Sequence, residues 1–154
     1  MPKILKLVIS FVIPQLVAVL GALATFSSVE TWYPSLNKPF FTPPSWLFGP
    51  VWTILYLAMG LAVWLIWNSN HPLKKSALIA FWIQLALNAL WSPAFFGLQS
   101  PILGLVIIIP LWIAILICIR LFYPIKRWAA FIMIPYLLWI SFALALNAAI
   151  WFLN

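Results

Sequence analysis

The stretch WYPSLNKPFFTPPSWLFGPVW, Trp32 to Trp52, holds five prolines, seven aromatic residues and one charge, Lys38, in 21 residues. Proline fixes φ and resists helix, so Pro34 to Pro44 reads as a semi-rigid loop, with Pro43-Pro44 blocking helix until Ser45. Ser45 is then the expected N-cap of the helix that follows. So aromatic a loop is not stable in water. It is expected to fold back over one mouth of the molecule as a lid, about residues 27–45, with Tyr33, Phe40 and Phe41 pressing on what lies beneath.

Outward from this loop the chain is almost without charge. Of 154 residues 67% are hydrophobic and 6% charged, with a mean hydropathy of +1.16, against about 25% charged residues in a typical soluble domain. No charged residue lies between Lys6 and Glu30, Lys38 and Lys74, or Lys75 and Arg120, nor after Arg127. Each run accommodates a span of about 20 residues, enough to cross roughly 30 Å of hydrocarbon. The run from Lys75 to Arg120 holds two, with a turn expected at Gly97-Leu98-Gln99-Ser100-Pro101. The sequence therefore predicts an all-α membrane protein, a five-transmembrane-helix bundle. Its helices fall at about 7–26, 46–67, 77–97, 102–122 and 128–152, and one membrane domain uses all of 1–154. Lys3, Lys6 and Ala22-Leu23-Ala24 also suit a cleavable signal, but the apolar run exceeds a signal core of about 7–15 residues, so a retained first span is expected.

Seven of the eight basic residues, Lys3, Lys6, Lys74, Lys75, Arg120, Lys126 and Arg127, fall on or near the side of the N-terminus. The positive-inside rule then predicts a cytoplasmic N-terminus, with the lid loop and C-terminus on the outer side. Topology and anionic lipid account for the net charge of +7, and no nucleic acid is implied.

Glu30 is the only acidic residue, so no carboxylate pair exists for acid/base catalysis and no intramembrane acid for ion coupling. One His and one Cys, His71 and Cys118, do not make a metal site, and no phosphate loop or nucleophile elbow occurs. No resident cofactor is expected. Chemistry, if any, belongs mainly to a bound molecule held in a shaped aromatic cavity.

Polar residues within spans are costly unless paired or functional. Gln84, Asn88 and Ser92 recur at i, i+4 and i+8 beside Trp91 and Phe95, a stripe expected to face the bundle interior. Trp139, Ala143 and Asn147 repeat the spacing, and Trp52 and Tyr56 lie one turn apart. Two readings stand: the amides are interhelical glue and the tryptophans packing, or Trp52, Trp91 and Trp139 with Asn88 line a small-molecule pocket. Ala18, Ala22, Ala145 and Ala149 suit close helix approach, and Pro14, Pro93, Pro110 and Pro135 suit bent helices that leave room for a cavity.

Three ordered motifs, WYPSLNKPFFTPPSWLFGPVWTILY (Trp32–Tyr56), QLALNALWSPAFFG (Gln84–Gly97) and PYLLWISFALALNAAIW (Pro135–Trp151), resemble the tryptophan-rich sensory protein or translocator protein (TspO/MBR) family, whose animal members were called peripheral benzodiazepine receptors. The resemblance spans nearly the whole chain. It implies a five-helix bundle, commonly a homodimer in membrane lipid, whose pocket binds tetrapyrroles such as protoporphyrin IX, and benzodiazepine-site ligands. Carried over by motif, the ligand-binding positions are Tyr33, Pro43, Trp46, Trp52, Asn88, Trp91, Ser92, Trp139, Ala143 and Leu146. Some bacterial members promote light-dependent porphyrin breakdown, which by analogy implicates the oxidisable indoles of Trp52 and Trp139. A porphyrin is a flat π-system suited to stacking on such rings. Animal members also carry an apolar-Tyr-basic sterol motif after the fifth span. Ala148 to Asn154 has neither Tyr nor base, and Leu121 to Lys126 fits that loose pattern only elsewhere in the chain. A sensor that sequesters a tetrapyrrole, a passive carrier or channel for porphyrin-like or lipidic molecules, and a structural partner protein are the three functions the residues allow.

Overall fold

A computed structural model describes residues 1–154, and it contains five helices long and apolar enough to cross a membrane. They are α1 (Lys3–Glu30), α2 (Phe48–Trp67), α3 (Lys74–Ser92), α4 (Pro101–Ile125) and α5 (Arg127–Leu153). Helices α1 and α4 run several residues beyond the apolar windows, α5 by one at each end, whereas α2 begins two residues late and α3 starts early but ends at Ser92. Hydropathy marks the hydrocarbon, whereas the backbone keeps its internal hydrogen bonds through the interface as well. At the end of α1, Thr31 Oγ1 donates to Ser27 O at 2.6 Å, a local bond that carries the helix past the apolar stretch.

Contacts between helices close a ring in the order α1, α2, α5, α4, α3 and back to α1. The basic residues gather at one end, where Lys6 Nζ donates to Trp67 O at 3.2 Å and Lys74 Nζ to Ser69 O at 2.7 Å. Near that end α1 and α2 meet closely. A Cβ on Gly60 would lie 2.9 Å from Ser10 O and 2.8 Å from the Phe11 ring, so only glycine fits. In the same half Val63, Ile66, Phe81, Ile115, Phe122, Ala129 and Met133 are fully buried.

Three connections shape the other half. Trp32 to Ser45 joins α1 to α2, with short 3-10 turns at Tyr33–Ser35 and Ser45–Leu47. The second turn has no side-chain cap, so Ser45 does not cap α2 as the sequence predicts. Pro44 holds extended backbone and Ser45 already belongs to the turn, one residue too late to act as a cap. Between α3 and α4 the chain widens into a π turn at Pro93–Gly97, with Leu98 N donating to Pro93 O at 2.8 Å and Ser100 N to Phe95 O at 3.1 Å. The reversal comes at Gln99, whose φ of 51° is left-handed, and not at Gly97, which stays helical. Ser100 Oγ then accepts from Leu103 N at 3.3 Å and caps α4, with Pro101 in the first turn. A single residue, Lys126, links α4 to α5.

Candidate functional site

In the half nearer the Trp32–Ser45 loop, α1, α2, α3 and α5 stand apart around a cavity of about 470 Å³. That size falls within the range of small-molecule sites, roughly 300–1,000 Å³. The wall from α1 comprises Ala18, Gly21, Ala22, Thr25, Phe26, Val29 and Glu30, and α2 supplies Phe48, Gly49, Trp52, Thr53 and Tyr56. From α3 and the π turn come Asn88, Trp91, Ser92, Phe95 and Phe96, and from α5 Trp139, Ala143, Leu146, Asn147 and Ile150. Helix α4 contributes nothing.

Aromatic rings hold this space open. Trp52 stacks on Tyr56 at 5.4 Å between ring centroids and meets Trp139 edge-on at 6.5 Å. Trp139 packs in turn on Phe48 at 5.9 Å and Phe142 at 5.5 Å. On the opposite wall Trp91 stacks on Phe95 at 5.4 Å, and Phe96 meets both. The π turn makes this possible by adding a residue to the turn after Pro93, which turns Phe95 and Phe96 inward together. Ser28 Oγ of α1 donates to Phe96 O at 2.6 Å and fixes the turn against the first helix.

The floor is a hydrogen-bonded chain. Tyr56 OH donates to Asn88 Oδ1 at 2.5 Å, Asn88 Nδ2 donates to Tyr136 OH at 2.6 Å, and Tyr136 OH donates to Gln84 Oε1 at 2.9 Å. All four residues are buried. A second link runs from Trp91 Nε1 to Asn147 Oδ1 at 3.2 Å and from Asn147 Nδ2 to Pro101 O at 2.8 Å. Gln84 is therefore glue between helices, and Asn88 and Asn147 both glue and line the cavity. Gly104 makes room for the second link, since a Cβ there would lie 2.6 Å from Asn147 Oδ1.

The loop covers the mouth. Tyr33 is buried against Phe96 at 5.6 Å, and burial pushes its phenol above its ordinary pKa. Lys38 Nζ donates to the carbonyls of Tyr33, Pro34 and Leu36 at 2.9, 3.3 and 3.2 Å and lies 5.0 Å over the Tyr33 ring. The far end of α5 clasps the loop: Asn37 N donates to Asn154 Oδ1 at 3.0 Å, and Asn154 Nδ2 donates to Asn37 O at 2.9 Å. Phe41 packs on Phe142 at 6.1 Å. Phe40, expected to press inward, is fully exposed at 101%, stacked edge-on against the outer side of Phe41.

Of the residues singled out in the sequence, Tyr33, Trp52, Asn88, Trp91, Ser92, Trp139, Ala143 and Leu146 converge on the cavity. Pro43 and Trp46 do not. Pro43 borders a shallow outer depression with Lys38, Pro39 and Thr42. Trp46 is 72% exposed, because the three-fold pitch of the Ser45–Leu47 turn directs Trp46 outward while Ser45 and Phe48 face the cavity. Ala18 and Ala22, expected at a tight helix contact, border the cavity, and the close approach of α1 lies at Ser10 and Phe11 against Gly60. Sequence reasoning did not find the α1 wall, Phe96 or Tyr136. Small and hydroxyl residues at Ala18, Ala22 and Thr25, spaced by four and three, were the available signal for the wall.

The family model described as the TspO/MBR family matches residues 10–152. The chain is 46% identical over 152 residues to the tryptophan-rich protein TspO of Archaeoglobus fulgidus, covering 99% of each chain. It is 35% identical over 133 residues to the tryptophan-rich sensory protein of Cereibacter sphaeroides, covering 84% of this chain and 83% of that one. It is 33% identical over 141 residues to the human translocator protein, covering 90% of this chain and 83% of that one.

Proposed function

Because the chain belongs to the TspO/MBR family and spans the membrane several times, we propose that it is a membrane sensory protein that binds a tetrapyrrole, protoporphyrin IX or a near relative, in the cavity beneath the lid. The observation that carries this reading is the meeting of Trp52, Trp91 and Trp139 around one space of about 470 Å³. Flat aromatic walls with few polar groups suit a large planar π-ligand, which gains from offset and edge-on contacts. Tyr33, Asn88, Ser92, Ala143 and Leu146 complete the binding surface in this reading, and benzodiazepine-site ligands share it. Positive-inside topology puts the basic end in the cytoplasm and the lid outside, and two copies associate in the bilayer.

Light-dependent breakdown of the bound porphyrin is part of the proposal. Illuminated porphyrin with dioxygen yields oxidising species, and Trp52 and Trp139, edge to face at 6.5 Å, are the oxidisable rings beside it.

The test is a tryptophan-fluorescence titration of the purified protein with protoporphyrin IX in darkness. Wild type is compared with Trp52→Phe, which trims a wall, and Ala143→Leu, which fills the space. Saturation near one porphyrin per chain, weakened in both variants, supports the site. Non-saturating quenching identical in all three proteins overturns it. Porphyrin loss under illumination that is unchanged in a Trp52→Phe/Trp139→Phe double variant still able to bind removes the photochemical part. Saturable uptake of porphyrin into protein-containing vesicles would favour a carrier over a sensor.

A further inference from the structure

The cavity is not sealed. Six of its lining residues, Ala22, Phe26, Glu30, Ser45, Gly49 and Thr53, are also exposed on the outside of the molecule. All six lie on α1 or on the Ser45–Leu47 turn and α2. No lining residue of α3, the π turn or α5 is exposed, and Tyr33 of the loop is buried. The opening is therefore a slit between α1 and α2, beneath the loop that joins them. From Glu30 down to Ala22 it follows α1 for about 12 Å, at the rise of an α-helix.

Below Glu30 the rim of this slit is built for hydrocarbon. Leu23 and Ile54, next to Ala22 and Thr53, are 70% and 65% exposed, as suits side chains that face lipid. The hydroxyls at its edges are turned away: Thr25 Oγ1 donates to Gly21 O at 2.7 Å and Thr53 Oγ1 to Gly49 O at 2.9 Å, each satisfied on its own helix without water. Small residues keep the gap open, since an added Cβ at Gly49 meets nothing within 4 Å and one at Gly21 only Ser92, at 3.5 Å. We infer that this slit is the port by which a planar apolar ligand, dissolved in the bilayer, slides edge-on between α1 and α2 into the cavity. The inference rests on the tetrapyrrole reading of the cavity and adds to it where the ligand comes from. The loop ties α1 to α2 across the end of the slit, so a looser loop also means a wider port.

Binding kinetics of protoporphyrin IX to the protein in phospholipid vesicles test the port. Association is followed by stopped-flow tryptophan quenching, and dissociation by transfer of porphyrin to protein-free acceptor vesicles. Ala22→Phe and Thr53→Phe place a ring in the gap, and Phe26→Ala removes one from its edge. In the first two, association and dissociation should slow together by about tenfold, the effect of forcing one side chain aside during passage. In Phe26→Ala both should rise together, so in every variant Kd moves far less than either rate. Phe26 is 74% exposed, so its removal opens the slit without emptying the core and reads the port even where an added ring disturbs packing. Rates unchanged in all three variants overturn the port and leave the cavity as a porphyrin site filled from beneath the loop. A weaker Kd carried by dissociation alone also overturns it, since that is how loss of a binding contact shows itself. If porphyrin does not saturate wild type, the tetrapyrrole reading itself fails, and this inference with it.

Discussion

The same helices build a closed half at the basic end and an open half beneath the lid. In the closed half, alanines at 62, 77, 129 and 130 are buried to 1% exposure or less and share one core with the fully buried Phe81, Phe122 and Met133. Interiors packed this way have little free volume. In the open half nine of the 24 residues that line the cavity are tryptophan, tyrosine or phenylalanine, and many of these rings meet edge to face and cannot interdigitate as densely. The border between the halves is the Tyr56–Asn88–Tyr136–Gln84 chain. A cavity in this bundle thus follows from ring against ring above a hydrogen-bonded floor, with no need for a missing helix.

The strongest way to break that contrast is at the floor. Tyr136 is fully buried, and Tyr136→Ala empties its volume and strands the amides of Asn88 and Gln84. Loss of a large buried aromatic costs about 3–5 kcal/mol. Leu146→Ala, at the cavity wall, should cost less, because part of that side chain already faces open space. Thermal midpoints in detergent for the two variants compare the floor with the cavity wall. Equal losses would mean that the wall is packed as tightly as the floor.

Two glycines on α2 give a finer comparison. Gly60→Ala drives a methyl group into Ser10 O and the Phe11 ring and should destabilise by about 1–3 kcal/mol, the usual cost of overpacking. At Gly49 an added Cβ meets nothing within 4 Å. Gly49→Ala should therefore be neutral or stabilising by up to about 1 kcal/mol, through helix propensity alone. If both substitutions have the same effect, α1 and α2 do not splay from a contact at Gly60.

Much of this was legible in the sequence, because spans announce themselves by uncharged length and polar residues inside spans must face something. Gln84, Asn88 and Asn147 were readable as inward-facing for that reason, and the tryptophan positions followed from the motifs. What could not be read was which partner each polar group would take. Tyr136 shares the face of Trp139 and Ala143, three and seven residues before them, but its role depends on meeting Asn88 and Gln84 from 48 and 52 residues away, which spacing within one helix does not reveal. The opposite fates of Trp46 and Trp52 depend on a single 3-10 turn, Ser45–Leu47, which contains Trp46 and precedes the helix that carries Trp52, a local change of pitch that composition does not encode. Phe40 and Phe41 are chemically alike and adjacent, but they are the central residues of a turn closed by Thr42 N donating to Pro39 O at 3.2 Å, which leaves Phe40 fully exposed and sets Phe41 against Phe142.

The smallest expected effect lies at the lid, where the open half meets solvent. Asn154 offers its amide oxygen to Asn37 N and its amide nitrogen to Asn37 O, the pairing a neighbouring strand would make. The pair is exposed, so water competes and each bond stabilises by about 0.5–1 kcal/mol. Asn154→Ala should leave the thermal midpoint nearly unchanged, because no buried contact is lost. The dissociation rate of a bound porphyrin, measured by displacement, should rise about two- to fivefold, because the loop then opens at lower cost. Asn154→Gln tests geometry, since the longer side chain carries the same amide but misplaces it by one methylene. An unchanged rate in Asn154→Ala would assign the lid's hold to Tyr33 against Phe96 and Phe41 against Phe142, contacts that belong to the aromatic walls and not to the clasp. The open half would then be closed by the same rings that keep it open.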